Sequence, residues 1–66
     1  QRLAALSHRE MEVLRMLAAG LSNNDIGTRM LLSPKTISTY KSRIMEKLQV
    51  GSFVDLMGLA NRNHVM

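Results

Sequence analysis

The sequence predicts an all-α domain of four helices, and three observations lead to this fold class. Four helix-start signals lie along the chain, and each begins with a serine. Apolar residues recur at helical spacing after these signals, whereas no segment alternates between apolar and polar residues as a half-buried strand does. The length of 66 residues allows only one domain, so residues 1–66 are expected to fold as a single unit.

The first predicted helix spans about 8–19. Ser7 and Glu10 stand at the two positions of a capping box, in which each side chain bonds the backbone N–H of the other residue. Gly20 predicts the end of this helix, because glycine readily adopts the left-handed conformation that commonly closes a helix.

The second predicted helix spans about 23–31. Ser22 supplies its start signal, and Asp25 follows at the third helical position. Three apolar residues are expected on its short buried face, namely Ile26, Met30 and Leu31.

The third predicted helix, about 34–48, is the longest. Ser33 caps it, and Pro34 occupies the first turn, where a residue without an N–H is tolerated. Only Leu32 separates the second helix from this signal, so the two helices must cross at a steep angle. This layout is that of a helix-turn-helix unit, whose second helix enters a DNA groove in proteins that bind DNA.

The fourth predicted helix spans about 53–62 and follows a turn at Val50 and Gly51. Ser52 caps this helix, and Asp55 lies at its third position. Together the four helices predict a tetra-helical helix-turn-helix domain.

The net charge of +4 comes from one part of the chain. Residues 1–28 and 48–66 each carry equal numbers of acidic and basic side chains. The whole excess lies within 29–47, where five basic residues accompany a single acidic one, Glu46. A localised basic stretch is typical of a phosphate-binding surface, and on charge alone a solvated face explains it equally well.

The composition argues against several other classes of protein. There is no cysteine, which excludes disulfides and thiolate zinc sites, and His8 and His64 have no metal-ligand spacing. We therefore expect no metal, no cofactor and no small-molecule ligand in this domain. No arrangement of a nucleophile or phosphate loop indicates an enzyme. No apolar run is long enough for a membrane span, and the start at Gln1 indicates a fragment of a longer, cytoplasmic protein.

The third helix has two different faces. The arc expected to pack on the first two helices consists of Ile37, Tyr40, Ile44 and Leu48. The opposite arc carries short hydroxyl side chains and a lysine, without the large apolar anchors of a protein-binding helix. Hydroxyl groups can form hydrogen bonds with any base, so this arc is expected to contact bases. The alternative is that its hydroxyl residues are solvent-exposed and have no binding role. The expected base contacts are Lys35, Ser38, Thr39 and Ser42.

Six further residues are expected to contact DNA phosphates, because helix-start amides, short polar side chains and basic side chains suit phosphate oxygens. They are Asn23, Asn24, Thr36, Lys41, Arg43 and Lys47. Lys41 lies at the edge of the core-facing arc, so its stem is expected to pack while its ammonium reaches outward.

The chain resembles the LuxR/FixJ/NarL-type DNA-binding domain found at the C-terminus of bacterial response regulators and quorum-sensing regulators. The matching text is LSHREMEVLRMLAAGLSNNDIGTRMLLSPKTISTYKSRIMEKL, residues 6–48, followed by SFVDLMGLA in the fourth helix. Within that family, SNNDI and KTISTYKSRIMEKL are most similar to the BvgA/EvgA-like branch of response regulators. Gly27 departs from the pattern, since the family usually has alanine there, at a cost of up to about 1 kcal/mol of helix propensity.

The resemblance implies transcription regulation by a nucleoid-associated bacterial protein whose third helix lies in the major groove, with the four expected base contacts facing the bases. It also implies a homodimer, formed through helix 53–62, on an inverted repeat of double-stranded DNA. The sequence allows this dimer because the fourth helix is apolar on two sides. The core side consists of Leu56, Leu59 and Ala60. The expected dimer interface consists of Val54, Met57 and Asn61, although Val54 and Met57 are also explained as part-exposed apolar residues.

The main hypothesis is the C-terminal output domain of a two-component response regulator. Two alternatives stay open on the sequence. One is a helical protein-interaction module, for example one that contacts RNA polymerase, and the other is the output domain of a quorum-sensing regulator.

Overall fold

The computed structural model describes residues 2–65, and Gln1 and Met66, which belong to the expected domain 1–66, lie outside the described residues. A short 3-10 helix, Arg2–Ala5, precedes four α-helices. These are α1 (His8–Ala18), α2 (Asn23–Met30), α3 (Pro34–Leu48) and α4 (Phe53–Arg62). Residues 2–65 contain no strand, so the predicted all-α fold of four helices is confirmed. The 3-10 helix was not predicted, because four residues are too few to show a helical period.

The serine caps form at the starts of all four α-helices. In the capping box of α1, the Ser7 hydroxyl accepts from the Glu10 N–H at 3.1 Å, and the Ser7 N–H donates to Glu10 Oε1 at 2.8 Å. The other three cap hydroxyls also accept from the N–H three residues along the chain. Each such cap stabilises its helix by about 1 kcal/mol, so the helix starts follow from local sequence.

The end of α1 also follows the prediction, although α1 is one residue shorter than expected. Gly20 has a φ of +92°, and its N–H donates to the carbonyl of Leu17. The Leu21 N–H donates to the carbonyl of Met16, which completes a Schellman motif.

The end of α2 corrects the prediction for Leu31. This residue was expected inside the second helix on its buried face, but it follows the helix, with a φ of 58° and 91% of its surface exposed. The connection to α3 is so short that Leu31 must adopt the left-handed conformation, which turns its side chain outward. The Leu32 N–H then donates to the carbonyl of Gly27 at 2.8 Å and closes the turn.

One apolar core joins the four helices. It consists of Val13, Leu14, Leu17, Ile26, Ile37, Ile44, Leu48, Leu56, Leu59, Ala60 and Val65. Three of the four residues expected on the inner arc of α3 are completely buried, whereas Tyr40 is half-buried at the edge of that arc. The inner face of α3 is therefore fixed against the core, and the opposite face is turned to solvent.

Candidate nucleic-acid interface

The outward face of α3 carries the four side chains expected to contact bases. All four are exposed, and their spacing places them on one side of the helix, opposite the core. They are Lys35, Ser38, Thr39 and Ser42. A rigid helix of about 22 Å therefore presents a polar strip without a large apolar side chain.

Two hydroxyls on this face are already bonded within the protein. Thr39 Oγ1 donates to the carbonyl of Lys35 at 3.3 Å, one helical turn back. Ser38 Oγ accepts a hydrogen bond of 2.9 Å from Asn23 Nδ2, which comes from the first turn of α2. These bonds restrict how each hydroxyl can meet a base.

The side chains expected to contact phosphates do not form a uniform group. Asn24 and Arg43 are exposed on the surface. Thr36 is half-buried, and its hydroxyl lies 2.9 Å from the cap hydroxyl of Ser33. Asn23 is half-buried and bonded to the outward face of α3.

Lys41 is placed between the two faces of α3, as its position at the edge of the core-facing arc predicted. The residue is half-buried, and its ammonium lies over the ring of Phe53, 5.0 Å from the ring centroid. A cation at this distance is attracted to the negative face of the ring. Lys41 therefore links the middle of α3 to the start of α4.

Lys47 holds the C-terminal end of α3 against α1. Its Nζ donates to Glu10 Oε1 at 2.8 Å and to the carbonyl of Ala5 at 3.4 Å. The Glu10 side chain is only 6% exposed, whereas that of Lys47 is 41% exposed. Sequence reasoning missed this pair because 37 residues separate its members and no local pattern joins them.

The pKa of the Glu10 carboxyl lies below its usual value. The hydrogen bond from Lys47 is the largest cause, and the Ser7 backbone N–H adds to it. Burial acts in the opposite direction, because it disfavours the charged form. Glu10 is thus held as a carboxylate in a buried position.

A second surface lies between the end of α1 and α4. It is an apolar groove of about 700 Å³. Val54, at 78% exposure, and half-buried Met57 line it together with Asn61, the three residues expected at a dimer interface. Phe53 and Leu21 also line the groove and were not predicted, because their shared position depends on how α1 packs against α4.

Within 2–65, no group of three or more His, Cys, Asp or Glu side chains is arranged to hold a metal ion. None of the helices in that range combines the length and apolar character required to cross a bilayer.

Comparison with known proteins shows to which family the chain belongs. Residues 4–60 match the model of the family described as "Bacterial regulatory proteins, luxR family". The chain is 51% identical over 63 residues to the "Virulence factors putative positive transcription regulator BvgA" of Bordetella pertussis, covering 96% of this chain and 30% of that protein. It is 49% identical over 65 residues to the "DNA-binding transcriptional activator EvgA" of Escherichia coli K12, covering 98% of this chain and 32% of that protein.

A "Putative transcriptional regulator" of Pseudomonas aeruginosa is 48% identical over 64 residues, covering 97% of this chain and 31% of that protein. The chain therefore spans about a third of the length of these curated relatives. The family match extends from the 3-10 helix into α4 and includes the whole polar strip of α3. The chain belongs to the luxR family of bacterial regulatory proteins and is a DNA-binding transcription regulator domain of that family.

Proposed function

We propose that this chain binds double-stranded DNA sequence-specifically, with α3 in the major groove, as the C-terminal output domain of a two-component response regulator. The observation that carries the proposal is the polar strip of α3, which is exposed, rigidly held and free of large apolar side chains. Such a strip can approach base edges closely and exchange hydrogen bonds with them. The similarity to named transcription regulators supports this function. A protein with this function would act in the cytoplasm at the nucleoid.

The residues flanking the strip supply the phosphate contacts in this proposal. Asn24, Arg43 and Thr36 offer donors beside the polar strip, and Lys41 lies at the edge of the core-facing arc of α3. Lys47 has three N–H donors, of which Glu10 and Ala5 take two, so one is left for a phosphate. Asn23 likewise keeps its second amide hydrogen after bonding to Ser38.

Salt dependence tests the proposal. If about three phosphates are neutralised, affinity for a duplex selected from a random pool should fall roughly 40-fold between 50 and 200 mM salt, since each neutralised phosphate releases counterions. Arg43→Ala should weaken binding to all duplexes about equally and flatten this dependence. Ser42→Ala should instead change which sequences are preferred. Fluorescence anisotropy over a salt series, with the selected duplex and single-base variants, measures both effects.

Arg15→Ala is the matched control, because Arg15 is also an exposed arginine but belongs to α1. It should leave both the salt dependence and the sequence preference unchanged. Duplex binding that is absent, or that does not respond to salt, would contradict the proposed function.

We also propose that the protein dimerises through α4 and binds an inverted repeat. The apolar groove supports this, because Val54 is 78% and Phe53 42% exposed on a helix whose other side is buried in the core. Two copies related by a two-fold axis would cover these residues and present their α3 helices to two half-sites. An operator with inverted symmetry follows from that arrangement.

Val54→Asp is expected to raise the dimer dissociation constant at least about tenfold, because a carboxylate would be buried in an apolar contact, at a cost of about 1.4 kcal/mol or more. Aspartate in the first turn of α4 suits the helix N-terminus, so the monomer should stay folded. Sedimentation equilibrium measures the change. Leu31→Asp is the control, since Leu31 is also an exposed apolar residue but lies outside the groove. Equal effects of the two substitutions would disprove the proposed dimer interface.

A further inference from the structure

The contact between Asn23 and Ser38 joins two residues that sequence reasoning assigned to different roles. Asn23 lies in the first turn of α2 and is half-buried, whereas Ser38 lies on the polar strip of α3. Asn23 Nδ2 donates to Ser38 Oγ at 2.9 Å, across 15 residues of sequence. The bond therefore links the start of α2 to the polar strip of α3.

The direction of this bond determines what the serine can offer. A hydroxyl has one hydrogen to donate and two lone pairs that accept. Because the Asn23 amide hydrogen occupies a lone pair of Ser38 Oγ, the hydroxyl hydrogen cannot point toward Asn23 Nδ2. The hydrogen and the second lone pair of Ser38 Oγ both stay available on the exposed side of α3, where a base edge would lie.

We infer that Asn23 is a positioning residue that keeps the hydrogen of Ser38 available for donation to the bases, an inference that rests on the proposed function. In the major groove a donor requires an acceptor, namely purine N7, guanine O6 or thymine O4. The amino groups of cytosine N4 and adenine N6 are donors, and opposite this hydroxyl they meet only the one lone pair that Asn23 leaves free. Asn23 thus acts on sequence preference through Ser38, beyond any bond of its own to a phosphate.

The neighbouring hydroxyl has no hydrogen left for the DNA. Thr39 Oγ1 gives its hydrogen to the carbonyl of Lys35, so toward the DNA it offers lone pairs and its methyl group. Two adjacent hydroxyls on one strip therefore differ in what they present. This difference comes from their bonding partners inside the protein, not from the residue types themselves.

Asn23→Asp tests the inference because it keeps the shape of the side chain and reverses its bonding. A carboxylate only accepts, so it would draw in the hydrogen of Ser38 and leave the oxygen lone pairs for the DNA. The base pair contacted by Ser38 is first identified as the position where Ser38→Ala loses preference. At that position we compare the affinity for duplexes that present an acceptor with the affinity for duplexes that present an amino group. Asn23→Asp should shift this ratio toward the amino group by about three- to tenfold, which corresponds to one hydrogen bond.

Asn24→Asp is the matched control, because Asn24 is the next residue, is exposed and lies in the same helical turn. It adds the same charge, so it should weaken binding to every duplex without changing the preference. Asn23→Ala supplies a second variant, since it frees the second lone pair of Ser38 as well and should relax the preference by about threefold without inverting it. The measurements are competition binding with single-base variants of the selected duplex, on the full-length protein.

The outcomes separate the inference from the function on which it rests. The inference is supported if duplex binding is salt-sensitive and sequence-specific and if its base preference shifts in Asn23→Asp. The shift should also disappear when Ser38→Ala is present in the same protein. If Asn23→Asp and Asn24→Asp weaken all duplexes alike, Asn23 acts only near phosphates and the inference fails while the function stands. Loss of all duplex binding by the unaltered protein would instead defeat the proposed function.

Discussion

Lys47→Met is expected to lower the free energy of unfolding by about 3 kcal/mol, which is the lower part of the range for breaking a buried ion pair. The substitution leaves the Glu10 carboxylate, on a side chain that is only 6% exposed, without the ammonium 2.8 Å away. The backbone N–H of Ser7 still bonds this carboxylate, and the partial exposure of Lys47 limits the loss. Urea denaturation measures the change, and Lys35→Met, at an exposed position on the same helix, should have little effect.

The same variant has a defined pH dependence. The folded-state pKa of Glu10 lies below its ordinary value of 4.5, chiefly because Lys47 bonds the carboxylate. A carboxyl whose pKa is lowered on folding stabilises the protein above its unfolded pKa, and this stabilisation is lost as the pH falls through the folded pKa. The difference between the unaltered protein and Lys47→Met should therefore be largest at neutral pH and shrink in acid.

Glu10→Gln in the Lys47→Met background distinguishes stability lost through the unpaired charge of Glu10 from stability lost through the packing of the Lys47 stem. Glutamine also serves at the third position of a capping box, so the bond to the Ser7 N–H is kept while the unpaired charge is removed. The double variant should regain much of the lost stability. A loss that is unchanged in acid and not recovered by Glu10→Gln would show that only the packing of the Lys47 stem matters.

This ion pair also affects how DNA-binding measurements on Lys47 are interpreted. A variant at Lys47 weakens the attachment of the C-terminal end of α3 to α1 as well as removing a positive charge. Reduced affinity would then combine a lost phosphate contact with a less rigid α3. Arg43, which is exposed, gives the cleaner measurement of the phosphate contribution.

The features that the sequence predicts well are those set by neighbouring residues. The serine caps, the left-handed Gly20 and the inner arc of α3 each depend on positions at most a few turns apart. The expected base contacts follow in the same way, because turning one face of α3 to the core necessarily turns the other to solvent. Local pattern thus predicted both the helices and the position of the polar strip.

The features that the sequence did not predict depend on tertiary contacts. The ion pair of Glu10 with Lys47, the position of Phe53 in the groove and the bond from Asn23 to Ser38 each join different helices. Residue type showed that Ser38 carries a hydroxyl, but which of its hydrogen-bonding positions stay free for DNA depends on a partner 15 residues away. The chemical detail of the candidate site therefore required the fold.

The second large effect is expected at Gly27, where alanine should destabilise the protein although alanine favours a helix by about 1 kcal/mol. A Cβ at this position would lie 2.5 Å from the carbonyl oxygen of Leu32, which belongs to the backbone of the turn between α2 and α3. Forcing extra volume into a close contact costs about 1–3 kcal/mol or more. We expect Gly27→Ala to lower the free energy of unfolding by about 2 kcal/mol overall, measured by urea denaturation.

The turn cannot easily move away from the new methyl group, because Leu31 already holds it in a restricted conformation. Leu31 has a φ of 58°, where a residue with a side chain is strained by roughly 1 kcal/mol or more. The Leu32 N–H also bonds the carbonyl of Gly27 itself at 2.8 Å. Glycine at position 31 would widen the range of turn conformations, and it would lose little burial because Leu31 is 91% exposed.

Leu31→Gly is therefore the partner variant for this prediction. Alone it should change stability by less than about 1 kcal/mol, since relief of strain is offset by the greater freedom of glycine in the unfolded chain. Combined with Gly27→Ala it should recover at least half of the loss, because the turn can then withdraw the Leu32 carbonyl. Additive effects of the two substitutions would show that the clash is relieved elsewhere, whereas recovery would show that residues 27 and 31 together set how α3 is held beside α2.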